Sequence, residues 1–196
     1  MANVNKSAPG WVIWFVGLPG AGKSMYAMAV YQALKGRGED VRYLSMDERR
    51  KVYFPDSKYT SEERREAYEL FAGEAAQIAA RGTNVIMDGT APQLSMREHA
   101  RRLIQRFAEI YVRCPLELAM HREEHRPGGL VTAELYKKAL ERKQTGVQFE
   151  GLGEVVGIDI PFEENPEAEC IIDSDQDSIE YGRDRVLEVI ARLKEY

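Results

Sequence analysis

The chain has 196 residues, 27 basic and 32 acidic side chains, a net charge of -5 and 44% apolar residues. That balance excludes collagen, coiled coil and wholesale disorder, and the negative charge argues against a general nucleic-acid binder, whose surface is usually basic. The length suits one large domain, or a core with a small inserted lid, better than two separate cores.

The first ten residues hold no apolar stretch behind a basic cluster, and the run that follows, Trp11 to Val16, is far too short to cross a bilayer. The expected address is therefore the cytoplasm, with no membrane partner. Trp11 to Val16 is continuously apolar and rich in aromatic and branched side chains, as a strand buried on both faces of a parallel sheet should be. It leads into Gly17, and from Lys23 to about Leu34 Ala, Met and Leu recur at helical spacing before Lys35-Gly36-Arg37-Gly38 ends the helix.

The alternation repeats. Val41 to Met46 predicts a strand, and Ser61 to about Arg81 a long helix opened by Ser-Glu-Glu, a capping signature. Asn84 to Met87 reads as the third strand, Leu94 to Phe107 as a helix, Ala108 to Val112 as the fourth strand and Pro115 to about Glu124 as a helix. Glu169 to Ile172 completes five strands, and Ser178 to Lys194 is the last helix. Strands alternating with helices imply right-handed crossovers and a parallel sheet covered on both faces. Between His125 and Pro166 the rhythm breaks: glycines cluster from Gly128 to Gly157, Thr132 to Arg142 is helix-like, and no strand is convincing. A long irregular excursion in a compact domain reads as a lid or binding loop. Cys114 and Cys170 match no metal or redox spacing and read as two plain thiols.

The segment Gly17-Leu18-Pro19-Gly20-Ala21-Gly22-Lys23-Ser24 fits the phosphate-binding pattern G-x-x-x-x-G-K-[ST], between a buried strand and an amphipathic helix as that pattern requires. Gly17, Gly20 and Gly22 let the backbone curl so that N–H groups, including that of Ala21, converge on an anion at the positive end of the following helix. Lys23 reaches the β- and γ-phosphates of a nucleotide as a point charge, and the Ser24 hydroxyl is offered to Mg²⁺.

Two carboxylates, Asp47 and Asp88, stand where the second and third strands finish. Ligands of open α/β sheets lie beyond the carboxyl ends of the strands, so both belong near the phosphate loop, to organise Mg²⁺ or accept a hydroxyl proton. Arg49 and Arg50 open a short helix after Asp47, where a guanidinium could hold an anionic substrate. His121 and His125 have helical spacing but no visible third ligand, which argues against a metal site there.

At this point the chain resembles the adenylylsulfate kinase (APS kinase) family. The resemblance rests on the Walker segment and on Leu44-Ser45-Met46-Asp47-Glu48-Arg49-Arg50, close to L-D-G-D-x-x-R. It continues through Ser61-Glu62-Glu63, Ile110 to Glu117, Leu135 to Ala139, and Gly157-Ile158-Asp159-Ile160-Pro161-Phe162-Glu163 with Glu164-Asn165-Pro166-Glu167. It implies transfer of the ATP γ-phosphoryl to the 3′-hydroxyl of APS. It also implies that Asp47 is the catalytic and magnesium-associated aspartate, that Arg50 reaches the substrate, that Arg122 covers the adenine and that Lys137 belongs to a mobile lid. Acceptor contacts are implied for the stretches holding Thr90 and Ile158.

The chain also departs from the family pattern. E-N-I-R-R is replaced by Ala67-Tyr68-Glu69-Leu70-Phe71, F-I-S-P by Gly89-Thr90-Ala91-Pro92, and the aromatic residue of G-F-T-G-I-D by Val155 or Val156. Tyr68 and Phe71 could stack on a base, although helix residues of this kind more often serve the core. The donor half is retained and the acceptor half rebuilt.

The sequence is therefore expected to fold as an α/β P-loop NTPase of the nucleotide-kinase type. That is a three-layer sandwich in a single domain over residues 1–196, with a five-stranded parallel sheet and a lid at about residues 125–163. The expected activity is a kinase using ATP and Mg²⁺ on a small anionic, nucleotide-like acceptor, APS first, with catalytic Lys23, Asp47 and Arg50. Substrate contacts fall to Asp47, Arg50, Tyr68, Asp88, Thr90, Lys137 and Ile158, nucleotide contacts to the Walker residues and Arg122, and metal contacts to Ser24 and Asp47. Another nucleotide, sugar or alcohol acceptor is the first alternative. An NTPase switch or non-catalytic binding module is the second, although no guanine-reading N-K-x-D motif is present. A homodimer is compatible with the sequence.

Overall fold

The computed structural model describes residues 8–57, 60–125 and 134–195. In chain order the elements are β1 (Val12–Val16), α1 (Lys23–Gly36), β2 (Val41–Ser45), α2 (Met46–Tyr53), α3 (Ser61–Ala80) and β3 (Asn84–Asp88). They continue with α4 (Leu94–Leu103), β4 (Phe107–Arg113), α5 (Leu116–Glu124), α6 (Leu135–Thr145), β5 (Cys170–Asp173) and α7 (Ile179–Lys194). The five strands form one sheet in the order β2-β3-β1-β4-β5, and every pairing is parallel.

The alternating direction of side chains along β1 explains the layering. Trp11, Ile13 and Phe15 join Tyr26, Ala27, Val30 and Leu34 of α1 and Val186, Val189 and Ile190 of α7 on one face. Val12, Trp14 and Val16 join Ala67, Phe71 and Ala75 of α3 and Met96 and Ala100 of α4 on the other. Both faces of β1 are thus covered, which accounts for its unbroken apolar run. Cys114 and Cys170 are buried free thiols. Among the described residues no helix is long and apolar enough to cross a membrane.

Several boundaries differ from expectation. β2 stops at Ser45 and α2 begins at Met46, so Asp47 lies in the first turn of a helix rather than at a strand end. Its carboxylate is favoured there by the positive helix terminus. The α3 cap is Thr60, whose hydroxyl accepts from the Glu63 N–H at 3.2 Å; the Ser61 signature was one residue late. α4 ends at Leu103, not Phe107, because Phe107 is drawn into β4 in register with Val12. The expected helix Thr132 to Arg142 begins in residues outside the description; the described helix α6 runs three residues further, to Thr145. It brings Tyr136 and Ala139 into a third apolar cluster with Leu152 and Val155.

The stretch from Phe162 to Asn165 straps the chain back across the sheet. The Phe162 ring stacks on Tyr111 with centroids 5.2 Å apart, and the Glu163 N–H donates to Pro92 O at 2.8 Å. The Glu163 carboxylate accepts from the Leu94 N–H at 2.7 Å, which satisfies an orphan donor at the start of α4. Beneath it, Arg97 and Glu109, with side chains 1% and 2% exposed, form an ion pair at 2.5 Å.

Candidate active site

The turn after β1 has the backbone that its glycines permit. Gly17, Gly20 and Gly22 have φ of 140°, 78° and 97°, and a Cβ on Gly20 would lie 2.2 Å from Ala119 O. Gly20→Ala is therefore expected to combine left-handed strain with a backbone collision, and to weaken ATP binding roughly tenfold or more. Titration calorimetry checks this, with the melting temperature as a control for folding.

Lys23 opens α1, and its Nζ donates to Leu18 O at 2.8 Å, so the ammonium lies over the curl of its own loop. This loop forms one wall of a cavity of about 200 Å³. Lys23, Ser24 and Gly20 line it together with Asp47 and Arg50 from α2, Tyr68 from α3 and Asp88 and Thr90 from the end of β3. Seven predicted site residues other than the loop's remaining backbone members thus come from four separate elements to one place: Lys23, Ser24, Asp47, Arg50, Tyr68, Asp88 and Thr90.

The wall opposite the loop is held by ion pairs. Arg50 faces Glu63 at 3.3 Å, with both side chains 11% exposed. Arg64, one residue on, donates to Glu154 O and lies 3.6 Å from the Glu154 carboxylate. Both line the cavity with Val155 and Val156. Tyr68 is buried against Trp14, with ring centroids 5.8 Å apart, and burial raises its pKa; it is both a core residue and a cavity wall. Phe71 is core alone, edge-on to Trp14 at 5.8 Å.

The turn that follows β3 is strained. Ala91 has φ of 43°, a region that costs a side chain about 1–3 kcal/mol and persists only where the surroundings impose it. Here Thr90 O accepts from the Gly17 N–H at 3.4 Å, and Ala91 itself is fully buried.

Three predicted residues stand apart from the cavity. Arg122 donates to Ser174 Oγ at 3.0 Å and Ser174 O at 2.8 Å, and its NH1 reaches Ala21 O at 3.5 Å. It ties α5 to the outer side of the phosphate loop. Lys137 is 62% exposed, pairs with Glu134 at 2.8 Å and lines a separate cleft with His121 and Glu141. Ile158 packs against the third apolar cluster, and its neighbours Val155 and Val156 line the cavity in its stead.

Sequence reading missed Arg64, Tyr43 and Tyr136. Arg64 carries no signal beyond a charged helix face, and Tyr43 reads as an ordinary strand tyrosine. Tyr136 donates to Pro19 O at 2.8 Å, fastening α6 to the phosphate loop; its place in the Leu-Tyr-Lys-Lys stretch was the one available clue.

Comparison with known proteins agrees with this geometry. The family model for adenylylsulphate kinase matches residues 9–173. A probable adenylyl-sulfate kinase of Archaeoglobus fulgidus is 33% identical over 166 residues, 85% of this chain and 97% of that protein. The adenylyl-sulfate kinase of Myxococcus xanthus is 31% identical over 187 residues, 93% of this chain and 92% of that one. Among solved structures, the APS kinase CysC of Mycobacterium tuberculosis, in complex with AMPPNP and APS, superposes with a TM-score of 0.77 at 24% identity, covering 93% and 98% of the two chains; at that identity it speaks for the fold.

Proposed function

The chain belongs to the adenylylsulfate kinase family, and from that premise we propose how its own residues transfer the γ-phosphoryl group of ATP to the 3′-hydroxyl of APS. The observation that carries the reading is the convergence of Lys23 and Ser24 with Asp47, Arg50 and Asp88 around one cavity. Phosphoryl transfer needs little covalent help from a protein, and its catalysis is mostly positioning and charge stabilisation.

In this reading the loop amides and Lys23 hold the β- and γ-phosphates, and Lys23 offsets the charge on the moving group. The acceptor 3′-oxygen attacks phosphorus in line, the bond from the γ-phosphorus to the bridging oxygen breaks, and ADP leaves. The hydroxyl proton passes to the Asp47 carboxylate. Arg50 reaches the anionic acceptor. Arg122, behind the loop, supports the adenine side, and α6, which carries Lys137, belongs to a lid at about residues 125–163, of which 126–133 lie outside the described residues.

The donor set fits magnesium. The Ser24 hydroxyl and the Asp47 and Asp88 carboxylates line the same cavity, and such hard oxygens, completed by phosphate oxygens and water, suit that ion. Ser24 and Asp47 would hold it. When bound, it supplies Lewis-acid stabilisation of charge on the phosphate oxygens.

The rebuilt acceptor half has its own cation. Arg64, beside Arg50 in the cavity wall, is positioned to meet an acceptor anion. Arg64→Ala is expected to raise the acceptor KM about tenfold and leave the ATP KM unchanged, as loss of one charged hydrogen bond would; steady-state kinetics with each substrate varied checks it, and an equal rise in both contradicts the role.

The test of the whole reading is ADP formation with ATP and Mg²⁺ in the presence of APS, other nucleotides and small alcohols. Fast turnover with APS, yielding 3′-phosphoadenylylsulfate, is expected. Faster turnover with another acceptor retires APS and keeps the mechanism, and steady phosphate release without any acceptor favours a switch.

A further inference from the structure

Tyr43 has no part in the reaction just described, yet it holds a carboxylate that lines the reaction's cavity. Its hydroxyl crosses from β2 to the end of β3 and donates to Asp88 Oδ2 at 2.6 Å. Asp88 lines the cavity together with Ser24 and Asp47. The ring is fixed from the other side by Tyr31 of α1, edge-on at 5.9 Å between centroids.

The sheet explains how these groups meet. Ser45 pairs in register with Asp88, and Tyr43 pairs with Ile86. Residues two apart on a strand share a face, so Tyr43, Ser45, Ile86 and Asp88 all project toward α1, whose first turn carries Ser24. The pattern L-D-G-D, of which this segment keeps the first and last residues as Leu44 and Asp47, has a carboxylate where this chain has Ser45. Here the carboxylate stands one strand over, in register with that serine, and Tyr43 is the group that holds it.

Resting on the reading that this cavity binds MgATP, we propose that Tyr43 is a positioning residue of the metal–phosphate site: its hydroxyl holds the Asp88 carboxylate at the cavity that Ser24 and Asp47 also line. Phenylalanine would keep the ring and its packing and remove only the oxygen.

The experiment measures ATP affinity by titration calorimetry in Mg²⁺ and in EDTA, for the wild type and Tyr43→Phe. The ratio of the two affinities is the gain due to metal. Tyr43→Phe is expected to reduce that gain about 10- to 100-fold, as loss of a partner behind a metal ligand does, with the affinity in EDTA unchanged. Binding of Mn²⁺ with ADP, followed by electron paramagnetic resonance, should weaken in parallel. Asp88→Asn, which leaves Tyr43 an oxygen to donate to, is the second variant and should lose a comparable share of the gain; it decides the matter if Tyr43→Phe does not fold. An undiminished gain in a folded Tyr43→Phe or in Asp88→Asn overturns the proposal, as does an equal loss with and without metal. No metal gain in the wild type overturns it together with the MgATP reading, and so separates the two failures.

Discussion

Lys23→Met is expected to lower kcat by about 10³-fold or more while the protein still folds. Methionine matches the length and flexibility of the lysine stem and removes the charge alone. The loop itself is shaped by the positive φ of Gly17, Gly20 and Gly22, not by the lysine. The hydrogen bond from the ammonium to Leu18 O contributes about 1 kcal/mol, and Leu18 is only partly buried, so water can take its place. The large term is catalytic: charge builds on the transferred group and the leaving oxygen, and a cation already in position costs no reorganisation at that moment. ADP formation with saturating ATP and APS measures the loss, and circular dichroism with a melting curve checks the fold. Turnover close to the wild type would contradict the role given to Lys23 and, with it, the mechanism.

Arg97→Met has the largest expected effect on stability, about 3–5 kcal/mol. The Arg97 and Glu109 side chains are 1% and 2% exposed, and Glu109 lies in β4, next to β1 at the centre of the sheet. Removing the guanidinium takes away the ion-pair partner of a buried carboxylate and leaves it with the Asn165 amide, 2.8 Å from its Oε2. Arg97 also donates to Glu163 O and lies 5.0 Å from the centroid of the Phe162 ring. The same change therefore loosens the strap from Phe162 to Asn165, and with it the turn that carries Thr90 and Pro92 to the cavity. For a chain of this size the melting temperature should fall by roughly 10 °C. Adding Glu109→Gln should recover part of the loss, because the stranded charge, rather than the missing contact, is the main cost. Thermal unfolding of the two variants tests both statements; a double variant no better than the single one would place the cost in packing.

The two variants, at Lys23 and at Arg97, show how unevenly function and stability are written in the chain. The phosphate loop was legible because its signal is local: a buried strand, glycines at fixed offsets and a helix, all within Trp11 to Leu34. Asp47, Arg50 and Asp88 were legible as candidates because they follow predicted strands, and ligands gather at those ends. The stretch from Gly157 to Glu167 was legible only as a resemblance. Its physical work emerged from the structure: Phe162 stacks on Tyr111, Glu163 serves the start of α4, and Asn165 serves Glu109. Lys137 and Ile158 were drawn toward the acceptor by the same resemblance, and the structure sets both outside the cavity. The departures at Tyr68 and Phe71 likewise acquired meaning only in three dimensions, where one lines the cavity and the other fills the core.

By itself, then, the sequence determined the alternation of strands and helices, the phosphate cradle and the family, because each is set by residues near one another along the chain or by motifs matched directly. The tertiary structure decided which distant side chains meet. Ser24, Tyr43 and Asp88 share a site because β3 lies between β2 and β1 in the sheet, and Arg97 finds Glu109 because α4 packs over β4. Spacing records the period of a strand or helix but not the neighbour it takes, since strand order follows from burying both faces of the sheet at once.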